Sequence, residues 1–80
     1  MSTATNPTDT AAGAEGQEYN VIWFTEACLS NAKRLEAYVK DAQQTGNEAL
    51  AEFFQKAQAE SRKGADLGKQ MLRTLLNDAS

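Results

Sequence analysis

Two long runs of apolar residues at helical spacing are separated by a short polar break. In the first run, Val21, Cys28, Leu35 and Ala42 recur every seven residues, and Phe24, Ala32, Tyr38 and Val39 widen that line into a stripe. Lys33, Arg34, Glu36 and Lys40 fall off it. The spacing predicts a helix from about residue 19 to residue 44. Ile22, Trp23 and Leu29 lie outside the main stripe, so the first turns are apolar nearly all round. A helix that is apolar on two faces needs two neighbours.

The second run repeats Leu50, Ala57, Gly64 and Met71 at intervals of seven, with Phe54, Ser61, Gly68 and Leu75 beside them. Phe53, Leu67, Leu72 and Leu76 broaden this face. A helix from about residue 48 to residue 77 is predicted. Both patterns keep the period of 3.5, which implies a left-handed supercoil. Between them, Gln44-Thr45-Gly46-Asn47 reads as a turn: Gly46 suits the left-handed residue after a helix, and Asn47 suits the N-cap of the next. Thr45 and Glu48 also fit a capping box, which would move the boundary by about two residues. A connection this short forces antiparallel neighbours. Folding at Gly46 sets Leu35 opposite Ala57, Cys28 opposite Gly64, Phe24 near Gly68 and Val21 opposite Met71. Gly64 and Gly68 each cost about 1 kcal/mol against Ala in a helix, so a packing reason is expected: either the backbones approach closely there, beside Cys28, or the glycines make room for a large ring such as Phe24 or Trp23.

Composition makes this core thin. Fourteen of the 33 apolar residues are Ala in a chain of 80 residues. A single core of that size rarely supplies more than roughly 3–5 kcal/mol. Cys28 is the one cysteine and there is no histidine. An internal disulfide is excluded, and zinc lacks its ligand set. Oligomerisation or docking on a partner is the remaining route to stability.

Residues 1–18 hold Asp9, Glu15 and Glu18 and no base, whereas the rest of the chain holds eight acids and eight bases. The formal charge of −3 therefore belongs to the N-terminal part. Nucleic-acid binding needs a basic face that this balance does not provide. No apolar run reaches the length of a membrane span, and no secretory signal is recognisable. With a single reduced cysteine, a cytoplasmic location is expected. Residues 1–17 are rich in Thr, Ala and Gly with no large apolar residue after Met1, and they read as a disordered tail.

Catalytic chemistry is poorly provided for, and no enzyme activity is expected. The commonest general base is absent, and Cys28 sits on the apolar stripe, where a thiol behaves as a small hydrophobe. No cofactor is expected. Lys33-Arg34 and Arg62-Lys63 read as solvated basic pairs among acids.

The carboxylates carry one resemblance. Glu26, Glu60, the Gly-Asn turn and the phrase LAEFFQKAQAESRKGADLGKQML make residues 19–76 resemble one half of a ferritin-like bundle of the bacterioferritin or rubrerythrin type. The phrase is similar to that family's second helix, which carries Glu-x-x-His. The resemblance places Glu26 at the first-helix Glu ligand and Glu60 at the second-helix Glu, while Lys63 stands where the histidine belongs. A lysine ammonium does not ligate a metal. The resemblance therefore implies the helical fold and leaves Glu26 and Glu60, with Glu36, as the candidates if metal is bound.

The expected fold is all-α: an antiparallel helical hairpin that dimerises into a four-helix bundle. The expected role is that of a small structural or interaction protein. Ile22, Trp23, Phe24, Leu29, Phe53, Phe54, Leu72 and Leu76 are the candidate interface residues, and Cys28, Gly64 and Gly68 the close-packing residues. The alternatives are a ferritin-like metal protein and an adaptor subunit docking on another helical protein.

Overall fold

The computed structural model describes residues 14–79. They form two helices, α1 (Ala14–Gln44) and α2 (Glu48–Ala79), packed against each other as a hairpin. At 1.5 Å per residue, their 31 and 32 residues give matched lengths of about 46 and 48 Å. Helix α1 begins five residues before the expected residue 19. The reading of residues 1–17 as a tail is corrected for residues 14–17, which are helical; residues 1–13 lie outside the described residues. Ala14, Gln17 and Glu18 are strong helix formers. Gly16, within this added turn, is buried.

The turn is closed on both sides. Gly46 has φ of +77°, the left-handed conformation that favours glycine. The Asn47 amide donates to the Ala42 carbonyl at 2.9 Å and the Gly46 amide to the Gln43 carbonyl at 3.0 Å. This pair is the Schellman pattern that satisfies the last carbonyls of a helix. The Leu50 amide donates to Asn47 Oδ1 at 3.0 Å, so Asn47 caps α2. The Thr45 hydroxyl donates back to the Ala42 carbonyl at 3.0 Å and belongs to the end of α1, not to a capping box.

The seam between the helices follows alternating steps of four and three. On α1 it runs through Val21, Thr25, Cys28, Ala32, Leu35, Val39 and Ala42. On α2 it runs through Ala51, Phe54, Gln58, Ser61, Ala65, Gly68, Leu72 and Leu75. The expected α2 line is corrected: Leu50 and Met71 are exposed beside the seam, as are Phe53, Leu67 and Leu76, while Ala51 and Ala65 are buried. On α1, Phe24 and Tyr38 are exposed and Thr25 is buried. The apolar arc of each helix is wider than one neighbour can cover. Small residues decide which part of it faces inward, because they let the backbones come close.

The interior is accordingly slight. Among the described residues, the buried apolar ones are Ala32, Leu35, Val39, Ala42, Ala51 and Ala65, and no side chain is fully buried. Among the described residues, eleven large hydrophobic side chains stay 39–66 % exposed. No described helix is long and apolar enough to cross a membrane.

Candidate functional site

The closest approach of the helices lies in the half of the hairpin away from the turn. A Cβ placed on Gly64 would stand 2.8 Å from Cys28 Sγ and 3.5 Å from the Phe24 ring. A Cβ on Gly68 would overlap Thr25 Oγ1 and stand 3.1 Å from Thr25 Cβ. The Thr25 hydroxyl donates to the Val21 carbonyl at 2.7 Å. That local bond satisfies a polar group which the seam would otherwise bury unpaired. The structure therefore brings Cys28, Gly64, Gly68 and Phe24 together, and adds Thr25 to them.

Two side-chain hydrogen bonds join the helices near mid-length. Gln58 Nε2 donates to the Ala32 carbonyl at 2.9 Å, and Asn31 Nδ2 donates to Ser61 Oγ at 2.8 Å. Toward the turn, the Tyr38 and Phe54 ring centroids are 5.3 Å apart, and Phe53 lies edge-on to Phe54 at the same distance. Such tilted pairs suit the ring quadrupoles.

These features lie along one side of the hairpin. At its open end a shallow apolar cleft of about 300 Å³ is lined by Val21, Phe24, Leu67, Gly68 and Met71. In the middle, Ala27, Asn31, Arg34 and Ser61 line a more polar groove. At the turn end, Tyr38, Asp41, Leu50 and Phe54 line a second apolar cleft of about 370 Å³. Phe53, Glu60 and Leu67 recur at intervals of seven along the α2 edge of this side, and Ala27, Arg34 and Asp41 along the α1 edge.

The candidate interface residues are split by this geometry. Phe54 and Leu72 are half-buried in the hairpin's own seam. Phe24 and Phe53 belong to the grooved side just described. Ile22, Leu29 and Leu76 are exposed on the opposite side. Trp23 follows Ile22 and precedes Phe24, so it points outward between the two sides, and it is 66 % exposed. The opposite side is polar near the turn, where Gln43, Glu48, Glu52 and Gln55 line it.

The carboxylates take outer positions. Glu26 and Glu60 are exposed, and Glu26 Oε2 accepts from Ser30 Oγ at 2.6 Å. Glu36 is also exposed. Among the described residues, no group of three or more His, Cys, Asp or Glu is placed to hold a metal ion.

Sequence reasoning missed Thr25, Gln58 and Asn31. Each is polar, and a search for apolar periodicity passes over it. The signal was present in another form: Thr25 precedes Ala32 and Val39 by seven and fourteen residues, and Gln58 follows Ala51 and precedes Ala65 by seven. Compared with known proteins, the chain matches no family model, no curated protein and no solved structure.

Proposed function

We propose that the chain acts by binding rather than catalysis, as a structural or interaction protein whose hairpin self-associates through its apolar faces into a four-helix bundle. One observation carries this reading: the small residues are inside and the large ones outside. Among the described residues, nothing bigger than Leu35 and Val39 is buried, whereas Trp23, Phe24, Phe53, Leu67 and Met71 are more than half exposed. Burying one large side chain contributes about 1.5–3 kcal/mol. A face bearing several such side chains outweighs any surface ion pair the hairpin could form. Exposed apolar surface of this kind marks interaction sites in soluble proteins.

Light-scattering mass over a dilution series, with helicity followed by circular dichroism, tests it. The expected result is full helicity at a mass of twice 8.7 kDa, falling to the monomer on dilution. A mass of 8.7 kDa at every concentration rejects self-association and leaves a helix of another protein as the occupant of the face.

A further inference from the structure

We infer that the grooved side of the hairpin, bearing Phe24, Arg34, Tyr38, Phe53, Glu60 and Met71, binds a second copy of the chain with turn over turn, α1 of each copy lying on α2 of the other. This rests on the self-association reading and names its surface and orientation.

The choice of side comes from continuity. The opposite side is apolar only at the open end, through Ile22, Leu29 and Leu76, and polar toward the turn. The grooved side carries apolar clefts at both ends. Among the described residues, its clefts and the groove between them run along the helices from the open end to the turn.

The choice of orientation comes from charge. The two charged residues that fall mid-length on the edges of this side are Arg34 and Glu60. Arg34 lies twelve residues before Gly46 and Glu60 fourteen after it, so their heights above the turn differ by about 3 Å, within the reach of the two side chains. With turn over turn and α1 on α2, Arg34 of each copy meets Glu60 of the other, twice by symmetry. The same operation sets Tyr38, eight residues before Gly46, against Phe53, seven after it. It sets Phe24 against Leu67 and Met71, and Ala27 against Leu67. Asp41 lies beside the turn, at the end of the bundle, where its carboxylate keeps access to water.

The reverse orientation, turn over open end, puts α1 on α1 and α2 on α2. About the midpoints of the two helices, near residues 29 and 63, it sets Arg34 against Phe24 and Glu60 against Leu67. Each charge would then lie against an apolar side chain with no opposite charge directly facing it, which disfavours this orientation. Charge complementarity selects between packings of similar apolar content in this way.

Two reversed charges test the geometry. Arg34→Glu makes both facing positions acidic, and Glu60→Arg makes both basic. Each variant alone is expected to raise the dimer dissociation constant on the order of 100-fold. Mixed in equal amounts, one of them isotopically labelled, the two variants restore complementary pairs and form a heterodimer seen by native mass spectrometry. Recovery on mixing is the reading whether or not the separated monomers stay helical. Wild-type dimers with unaffected single variants, or weakened variants that fail to recover on mixing, overturn the assigned face and orientation while leaving self-association standing. A wild-type chain that stays monomeric overturns both and gives the face to a different partner.

Discussion

The inner seam and the outer face of this hairpin have opposite compositions. At the closest approach the seam holds Thr25, Cys28, Ala65 and Gly68, whereas the grooved face beside it holds Phe24, Leu67 and Met71. Small residues bring two backbones together but remove little area from water. Large residues on the outside leave area to be removed by something else. A hairpin built this way is well specified in register and poorly supplied with core. The division teaches that helix-to-helix fit and hydrophobic stabilisation are carried by different residues here.

The strongest way to break the comparison is to hollow out the little core there is. Leu35, the largest buried side chain, is 6 % exposed. Leu35→Ala is expected to cost about 2–5 kcal/mol. Urea unfolding followed by circular dichroism should show loss of most of the cooperative transition. A transition close to the wild type would mean that the seam is not where stability lies.

The outer face comes next. Met71→Asp places a charge in the apolar cleft at the open end and removes about 1.5–3 kcal/mol of burial from each partner. Summed over both partners, this should raise the dimer dissociation constant by about 100-fold or more in sedimentation equilibrium.

The glycines sharpen the comparison at smaller scale. Ala at either position gains about 1 kcal/mol of helix propensity. At Gly68 that gain is opposed by overlap with Thr25, and overpacking costs about 1–3 kcal/mol. Gly68→Ala should therefore lower the melting temperature, and adding Thr25→Ala should recover part of it. At Gly64 the obstructing atom is the Cys28 sulfur at 2.8 Å, which has rotamer freedom, so Gly64→Ala should stay close to the wild type. Equal losses at both positions would show that the local approach of Thr25 is not the cause.

The smallest effect is expected at Trp23. It points outward between the two sides, and Trp23→Ala should change hairpin stability by no more than about 0.5 kcal/mol. A large loss of dimer mass would move the interface from the grooved side to the outward face of α1.

The hairpin was legible in the sequence because the turn residues are specific. Gly46 needs positive φ and Asn47 makes a cap, so the antiparallel arrangement followed from two positions. The heptad phase of α2 was not legible. Leu50, Phe54, Ala57, Met71 and Leu75 span an arc wider than one neighbour covers, and hydrophobicity alone favours its most apolar line. The structure turns α2 so that Ala51, Ala65 and Gly68 face inward, a choice made by backbone approach. The interface residues were chosen on size, which captures exposure at Trp23 and Phe53. It does not separate the grooved side from the opposite one, because that needs the position of each residue relative to the seam.

The closed turn also gives an expected order in which the molecule assembles in time. Tyr38 and Phe54, which stack nearest the turn, enclose a short loop, while Asn31 and Ser61 are 30 residues apart and the Phe24–Gly68 approach spans more. Each doubling of loop length adds only about 0.6 kcal/mol to closure. Once the turn and the aromatic pair form, the rest follows by small increments. Contacts this local place the hairpin among fast-folding helical proteins, on the scale of microseconds to milliseconds. Amide exchange should then be slowest beside the turn and grow faster toward the free ends. A side chain at Gly46 strains the left-handed turn, and stopped-flow kinetics of Gly46→Ala are expected to show folding slowed more than unfolding is speeded.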